Sequence, residues 1–319
     1  MTAHNIGRRR FLRTAGLTAL AATGLRRVDL TAQSAVPNSS GTERPTLDVP
    51  PLASDCHHHI YDAVRFPPLA RGLEPDARVQ EYRLLQRRLG TTRNVIVTPA
   101  PYVTDNRVTL DAIAQFGSNA RGVAVVHPSV SDAELKALAA GGITGIRFAL
   151  AVPPTSVPAT TLDMVEPLAR RAADLGWHVQ FNMDPEQLVA VESMFMRLPA
   201  TLVFDHMGRL PMPLGLAHPA FTIIRRLMDK GRTWVKLSVS SGNRGDGPPA
   251  YAHATSLAQA YVQAAPERLV WGSNWPHPGE SDRPNDAVLL DLLGKWAPSS
   301  ALRHRILVEN PAALYGFAS

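Results

Sequence analysis

The sequence predicts a single (β/α)8 TIM barrel, and three observations support this fold class. Short β-branched runs alternate with segments of helical period from Leu47 to the end of the chain. Eight such runs are present, which is the number of strands in a closed parallel barrel. The length of 319 residues suits one domain of this type. A doubly wound open sheet is the alternative, but no glycine-rich loop follows the first strand, as its nucleotide-binding form would require.

The predicted strands are Ala53–Ile60, Asn94–Pro99, Gly122–His127, Gly142–Leu150, Trp177–Asn182, Thr201–His206, Thr233–Ser238 and Arg268–Ser273. The predicted helices are Arg78–Leu89, Asp105–Phe116, Ser131–Ala140, Thr160–Leu175, Pro185–Met196, Phe221–Lys230, Ala252–Ala264, Asn285–Trp296 and Ala301–Leu307. Local signals agree with these boundaries. Ser131 and Glu134 form a capping-box pair, and Pro185 suits a first helical position. Gly90 and Gly176 fall just past predicted helix ends.

The positive charge of the chain is concentrated at its N-terminus. The net charge is +6, and residues 1–35 alone contribute +5 from six arginines and one aspartate, which leaves +1 for the rest. A near-neutral body offers no basic stripe, so a nucleic-acid partner is not expected. No stretch approaches the roughly 18 uncharged apolar residues of a membrane span. The single cysteine, Cys56, excludes an internal disulfide and is expected to be buried.

An arginine-rich segment near the N-terminus has a more specific interpretation. An arginine pair, Arg8-Arg9, stands two residues before Phe11-Leu12, and a mildly apolar stretch follows. This pattern resembles the bacterial twin-arginine signal, an address that is read by export machinery. We therefore expect residues 1–35 to be an export signal, 36–46 a linker and 47–319 the barrel. The mature protein is then expected in the periplasm. A basic tail without a targeting role is the alternative.

The first predicted strand ends in the sequence Asp55-Cys56-His57-His58-His59. On a regularly alternating strand, Asp55, His57 and His59 share one face and Cys56 faces away from these histidines. Two imidazoles directed into one small volume suit metal binding, or polarisation of a carbonyl without metal. Because barrel enzymes place their chemistry at the C-terminal ends of the strands, residues at the other strand ends are expected to meet these histidines.

Four motifs together resemble the amidohydrolase superfamily, specifically its branch of metal-independent lactonases. They are Asp-Cys-His-His-His at 55–59, Val-Phe-Asp-His-Met-Gly-Arg at 203–209, Leu-Val-Trp-Gly-Ser-Asn-Trp-Pro-His-Pro at 269–278, and the closing segment 308–317. The resemblance spans nearly all of the chain after the expected linker. It implies a barrel that hydrolyses a small carboxylated lactone, of the sugar-acid or pyrone-dicarboxylate type, with no cofactor.

The resemblance also implies roles for individual residues. In the pyrone-dicarboxylate hydrolases of this branch, histidines polarise the lactone carbonyl, an aspartate after the eighth strand activates water, and arginines hold the carboxylates. The residues that match the catalytic positions are His57, His59, His206 and Asn274, with Asn274 at the position of the aspartate. The residues expected to bind substrate are Arg147, Arg209, Arg244 and Asn182.

Asn274 is the main departure from the pattern of this branch. An amide does not accept a proton near neutral pH, so proton abstraction would pass to another residue. The candidates are His206, His277, Asp184 and Asp282. Two neutral imidazoles and the Asn274 amide would also bind Zn²⁺ poorly, because no anionic ligand offsets its charge, and no histidine stands at the end of the fifth strand. We therefore expect no metal. Asp184 would change this expectation if its carboxylate extended into the site as a metal ligand.

Three alternatives remain open from the sequence. The protein is a lactone isomerase if a hydroxyl of the substrate, rather than water, attacks the carbonyl. It is a metal-dependent decarboxylase or hydratase of the same superfamily if a metal is bound. It is a non-catalytic binder of sugar acids if the loss of the aspartate abolished turnover. The sequence determines neither the particular lactone nor the oligomeric state.

Overall fold

The structure is a computed structural model that describes residues 35–70, 77–151, 160–211, 213–240, 247–248 and 250–318. At its centre is an eight-stranded parallel sheet with its strands in sequential order. The strands are β1 Ser54–His58, β2 Arg93–Val97, β3 Ala120–Ala124, β4 Ile143–Ala149, β5 His178–Asn182, β6 Thr201–Phe204, β7 Thr233–Leu237 and β8 Leu269–Trp271. The predicted barrel is confirmed, because a doubly wound sheet would not have its strands in sequential order.

Helices surround this sheet. In the described part of the chain they are α1 Val79–Leu89, α2 Arg107–Phe116, α3 Asp132–Ala140, α4 Val165–Asp174, α5 Pro185–Ala190, α6 Glu192–Arg197, α7 Pro219–Asp229, α8 Ala252–Ala264, α9 Asp286–Trp296, α10 Ser300–His304 and α11 Asn310–Tyr315. The capping box at Ser131 is present, with Glu134 N donating to Ser131 Oγ at 3.2 Å. The single helix predicted over Pro185–Met196 is interrupted at Val191. None of the helices described is long and apolar enough to cross a membrane.

The residues that follow β8 bring the barrel back to β1. Asn274 N donates to His57 O at 2.8 Å, and His59 N donates to Trp275 O at 2.8 Å. Gly272 permits this approach, because a Cβ at that position would lie 2.6 Å from the Cβ of His57. Two motifs more than 200 residues apart in sequence are therefore neighbours at one end of the barrel.

A pairing irregularity in β1 changes the direction of its side chains. The register with β2 shifts between Asp55 and His58, as at a β-bulge. Asp55 turns toward α1, where it accepts hydrogen bonds from the Tyr82 hydroxyl at 2.9 Å and the Ser273 hydroxyl at 2.6 Å. The expectation that Asp55 shares the face of His57 is wrong, since the bulge interrupts the alternation of faces.

Cys56 is also affected by this irregularity. It packs in an apolar cluster with strand residues that include Val97, Val123 and Val203. These valines point into the barrel, as His57 does. The prediction that Cys56 is buried is confirmed, but the expectation that it faces away from the histidines is wrong for the same reason.

The segment expected to be a linker, residues 36–46, lies against the barrel. Val36 is buried, and Pro37 O accepts a hydrogen bond from Trp275 Nε1 at 2.8 Å. This segment thus covers the loop that carries Asn274. Of the expected export signal, residues 1–34 lie outside the described residues, and so does the predicted substrate ligand Arg244.

Candidate active site

A cavity of about 540 Å³ opens at the C-terminal ends of the strands. Six of the eight predicted site residues line its wall: His59, Arg147, Asn182, His206, Arg209 and Asn274. The cavity wall combines apolar surface with cationic and neutral hydrogen-bonding groups. It therefore suits a small polar ligand.

Arg147, on β4, connects this cavity to the barrel interior. Its Nε donates to Asp205 Oδ2 at 3.0 Å, and the side chain is only 5% exposed. Its two terminal nitrogens have no partner among the described residues, although the guanidinium lines the cavity. A guanidinium anchored through Nε offers its outer edge as a fork for a carboxylate.

Asp205 is the centre of a fully buried charge network. Gln180 Nε2 donates to its Oδ2 at 3.1 Å, and Lys236 Nζ lies 3.7 Å from its Oδ1. Lys236, on β7, is thus a buried partner of this carboxylate, and its Nζ also donates to Gln180 Oε1 at 2.7 Å. Sequence reasoning assigned no role to Asp205 or Gln180. The available signal was their position in the chain, since Asp205 directly precedes His206 and Gln180 stands two residues before Asn182 on β5.

The charges in this network determine its ionisation. Burial alone would raise the pKa of Asp205, but His57, Lys236 and Arg147 together hold it well below its ordinary value. Burial lowers the pKa of Lys236 to about 8, although Asp205 opposes that shift. Near neutral pH the network therefore contains one carboxylate between two cations. Such a network fixes the position of Arg147.

His57 lies behind the cavity wall rather than on it. It is fully buried, with Nδ1 3.2 Å from Asp205 Oδ1 and 3.3 Å from Lys236 Nζ. Its ring centre is 5.0 Å from that of His59 and 4.8 Å from that of His206. Burial lowers the pKa of His57 well below its ordinary value. His57 thus supports the two histidines that face the cavity.

His59 has a defined tautomer. Its Nδ1 lies 2.8 Å from Val97 O, and a carbonyl oxygen can only accept a hydrogen bond. Nδ1 therefore carries the proton. Burial, with a further contribution from the charge of Arg147, lowers the pKa of His59 well below its ordinary value. The ring is neutral near pH 7, and its Nε2 carries a lone pair.

His206 and Arg209 stand on one left-handed turn that follows β6. The φ angles from His206 to Arg209 are 50°, 55°, 75° and 54°. Such angles cost a non-glycine residue about 1–3 kcal/mol each and concentrate at functional sites. Gly208 is needed within this turn, because a Cβ there would lie 2.4 Å from Ile224 Cδ1.

The two ends of this turn differ in their surroundings. His206 Nδ1 is hydrogen-bonded to Ser238 Oγ at 2.7 Å, and burial lowers the pKa of His206 to about 3. Arg209 is more open, with its Nε 3.7 Å from Asp184 Oδ1. Across the cavity wall, Asn182 Oδ1 is buried without a hydrogen-bond partner among the described residues. The wall thus offers a second guanidinium and an amide to a ligand.

The structure separates the residues predicted to act as base in place of an aspartate at 274. His206 and Asp184 line the cavity, whereas His277 and Asp282 do not. His277 is fully buried, and its Nε2 lies 3.1 Å from Asp286 Oδ1. Glu280, which sequence reasoning missed, is a further carboxylate on the wall and is only 6% exposed.

A family model described as Amidohydrolase matches residues 54–317, which include every strand of the barrel. The chain belongs to the amidohydrolase family. The resemblance drawn from the four motifs is thereby confirmed at the level of the family.

Several relatives of this amidohydrolase have names that describe enzymes acting on lactones. It is 34% identical to the 2-pyrone-4,6-dicarboxylate hydrolase of Comamonas testosteroni, over 85% of this chain and 92% of that protein. It is 33% identical to the D-galactarolactone isomerase of Agrobacterium fabrum, over 86% of this chain and 94% of that protein. A crystal structure of an Agrobacterium tumefaciens protein in its apo form aligns with a TM-score of 0.78 and 30% identity, covering 86% of this chain and 99% of the other.

Three buried residues of this amidohydrolase have the spacing of metal ligands. Ligand atoms of His57, Asp205 and His206 all lie within 4.8 Å of one another. However, Asp205 already accepts from the Arg147 guanidinium and lies 3.7 Å from the Lys236 ammonium. A divalent cation there would meet two positive charges in a buried site, where such repulsion is strong. Since Asn274 adds only a neutral amide, this set of residues does not fit a metal.

Proposed function

We propose that this amidohydrolase hydrolyses a small carboxylated lactone, of the sugar-acid or pyrone-dicarboxylate type, without a metal. One observation carries the proposal: Arg147 is held by Asp205 through Nε and presents its outer edge to a cavity that also contains His59 and His206. A carboxylate site thus adjoins a cluster of imidazoles. The names of the relatives, one a pyrone-dicarboxylate hydrolase and the other a lactone isomerase, support the same substrate class.

Substrate recognition follows from the cationic groups of the wall. The Arg147 fork matches a carboxylate in geometry and charge, and it is held in place before the ligand arrives. Arg209 supplies a second cation, and the buried Oδ1 of Asn182 accepts a hydrogen bond from a substrate hydroxyl. The substrate therefore carries at least one carboxylate in addition to the lactone.

Hydrolysis of the lactone places negative charge on the carbonyl oxygen when water attacks. Groups that are fixed in a buried site stabilise such charge strongly, because they need no reorganisation during the reaction. The Asp205 network fixes the Arg147 fork and the substrate carboxylate on it, and Lys236 supports that network by donating to Cys56 O at 2.8 Å. The Asn274 amide orients the attacking oxygen by hydrogen bonding, since it cannot accept the proton.

Lactone isomerisation is the second candidate, and Asn274 is the observation that favours it. In this reaction a hydroxyl of the substrate attacks the carbonyl in place of water. Orientation of that hydroxyl then matters at least as much as its activation, and orientation is what an amide provides. The similarity to D-galactarolactone isomerase supports this candidate.

Proton NMR of the chelator-treated full-length protein with a panel of sugar-acid and pyrone lactones tests the proposal. Ring opening to the free acid is the expected result. Interconversion of five- and six-membered lactones would identify an isomerase. Turnover only after addition of Zn²⁺ or Mn²⁺ would contradict the metal-independent reaction. Tight binding without turnover across the panel would identify a sugar-acid binder.

We further propose that the protein is exported to the periplasm by the twin-arginine machinery. The support is the arginine pair before Phe11-Leu12 and the apolar stretch after it. Replacement of both arginines, Arg8→Lys with Arg9→Lys, should retain the protein in the cytoplasm in a cell-fractionation experiment. The matched control is the change Arg26→Lys with Arg27→Lys. Equal export of both double variants would contradict the proposal.

A further inference from the structure

We propose that His59 is the general base of the reaction and takes the proton of the attacking water on its Nε2. This inference rests on the proposed lactone hydrolysis and names the proton acceptor that Asn274 cannot supply. It differs from the expectation for this position, which was polarisation of the carbonyl. The tautomer of His59 and the positions of the nearby carboxylates support this assignment.

The tautomer of His59 determines what it can do at the cavity. Since Nδ1 donates to Val97 O at 2.8 Å, the remaining nitrogen of the neutral ring has no hydrogen. A histidine in that state cannot donate a hydrogen bond to a lactone carbonyl through Nε2. It can accept a proton from water, and His59 lines the cavity where that water would lie. The Val97 carbonyl thus defines His59 as an acceptor.

The carboxylates near the cavity are less suitable. Asp205 does not line the wall, and its Oδ2 accepts from both Arg147 and Gln180. Asp184 lines the wall, but its side chain is 51% exposed and faces Arg209 at 3.7 Å. Glu280 is buried on the wall and is therefore the principal rival among the carboxylates, so the experiment must include it.

The proton movements balance with water as the only co-reactant. The water oxygen bonds to the lactone carbonyl carbon as its proton passes to His59 Nε2. The bond from that carbon to the ring oxygen then breaks, and His59 returns the proton to the departing ring oxygen. The products are one carboxylic acid and one hydroxyl group, and His59 is restored to its neutral tautomer.

Substrate binding favours this role. The positive charge of Arg147 is one of the causes, after burial, that lower the pKa of His59. A substrate carboxylate on the Arg147 fork offsets that charge. Substrate binding thus removes one of the causes that lower the pKa of His59.

The test compares the variants His59→Gln and Glu280→Gln, with His127→Gln as the matched control at an exposed histidine outside the site. For His59→Gln, kcat should fall by about 10²–10⁴-fold, the usual contribution of a general base. The affinity for a carboxylate lactam analogue, measured by calorimetry, should change by less than about threefold, because the Arg147 fork is untouched. His127→Gln should match the wild type.

A second variant separates loss of the base from loss of positioning. His59→Gly leaves room for free imidazole, and added imidazoles should restore turnover in proportion to their basicity. Retention of most of kcat in His59→Gln, or loss of turnover in Glu280→Gln alone, would overturn the proposal. Loss of both affinity and turnover without rescue would assign His59 a positioning role instead.

The proposal is separable from the proposed function by NMR of ¹⁵N-histidine-labelled protein. The spectrum should show His59 with a protonated Nδ1 and a bare Nε2, whatever the substrate. If the wild-type protein opens no lactone but this tautomer is observed, the proposed lactone hydrolysis is contradicted, whereas the assignment of His59 Nε2 as a proton acceptor is supported. If Nε2 carries the proton, the base assignment fails even when lactones are hydrolysed.

Discussion

Mild acid should destabilise this amidohydrolase, because its barrel encloses several neutral histidines. Burial lowers the pKa of His58, His178 and His206 from 6.5 to about 3 in each case. The unfolded chain takes up these protons near pH 6.5, whereas the folded protein does not. Their contribution to stability is therefore fully present above pH 6.5 and is lost as the pH falls toward 3.

The size of this effect follows from the shifts. A pH of 5 lies about 1.5 units below the pKa of each histidine in the unfolded chain. At 1.36 kcal/mol per unit, each histidine therefore lowers the free energy of unfolding by about 2 kcal/mol. The three together remove about 6 kcal/mol, compared with a total of about 5–15 kcal/mol for a typical domain. Burial also raises the pKa of Asp55 from 3.8 to about 6, which offsets about 1 kcal/mol of this loss at pH 5. We therefore expect a loss of about 5 kcal/mol of stability between pH 7 and pH 5.

Urea unfolding followed by tryptophan fluorescence at several pH values provides the assay. His178 is suited to the test because it lies at the start of β5, away from the cavity, and packs edge-on against Tyr315. His178→Leu should lose about 2 kcal/mol less than the wild type between pH 7 and pH 5. His127→Leu, at an exposed position, controls for loss of a histidine as such. Parallel curves for His178→Leu and the wild type would refute the reasoning.

Three further predictions concern the site and its support. Arg147→Lys should raise KM for a carboxylated lactone by about 10²-fold in steady-state kinetics, because a lysine cannot both bond Asp205 and present a fork. The two charge-assisted hydrogen bonds lost are worth about 3 kcal/mol, and an unchanged KM would show that the carboxylate binds elsewhere. Lys236→Met should lower the free energy of unfolding by about 3–5 kcal/mol in urea denaturation, because it breaks a buried charge network. Asn274→Asp should increase ring opening relative to lactone interconversion, because aspartate tolerates the φ of 66° and supplies a base. NMR of the products measures this ratio, and an unchanged ratio would show that residue 274 does not contact the nucleophile.

Periodicity and chain order were sufficient to predict the barrel. Parallel strands that are covered by helices have short apolar sequences, and each of the eight predicted strands corresponds to a strand of the observed sheet. The expectation that barrel enzymes place their chemistry at the C-terminal ends of the strands led to residues that line one cavity. His59, Arg147 and Asn274 therefore reach one cavity from distant parts of the chain.

Other features of the site depend on contacts that the sequence does not encode locally. The β-bulge in β1 reverses the direction of Asp55, and it arises from pairing with β2 rather than from a recognisable residue type. The carboxylate that supports the histidines is instead Asp205, about 150 residues away. The tautomer of His59 depends on a carbonyl of β2, which no pattern of side chains reveals.

The left-handed turn after β6 has a consequence for the choice of substrate. It holds His206 and Arg209 three residues apart on one backbone unit, while the intervening Met207 is fully buried. In the proposed reaction, main-chain geometry thus sets the spacing between an imidazole near the lactone carbonyl and the second guanidinium of the wall. We therefore expect this turn to limit how far a second acidic group of a substrate can lie from its lactone carbonyl. New specificities should arise by changes on the other walls, because a change in this spacing would require a different turn.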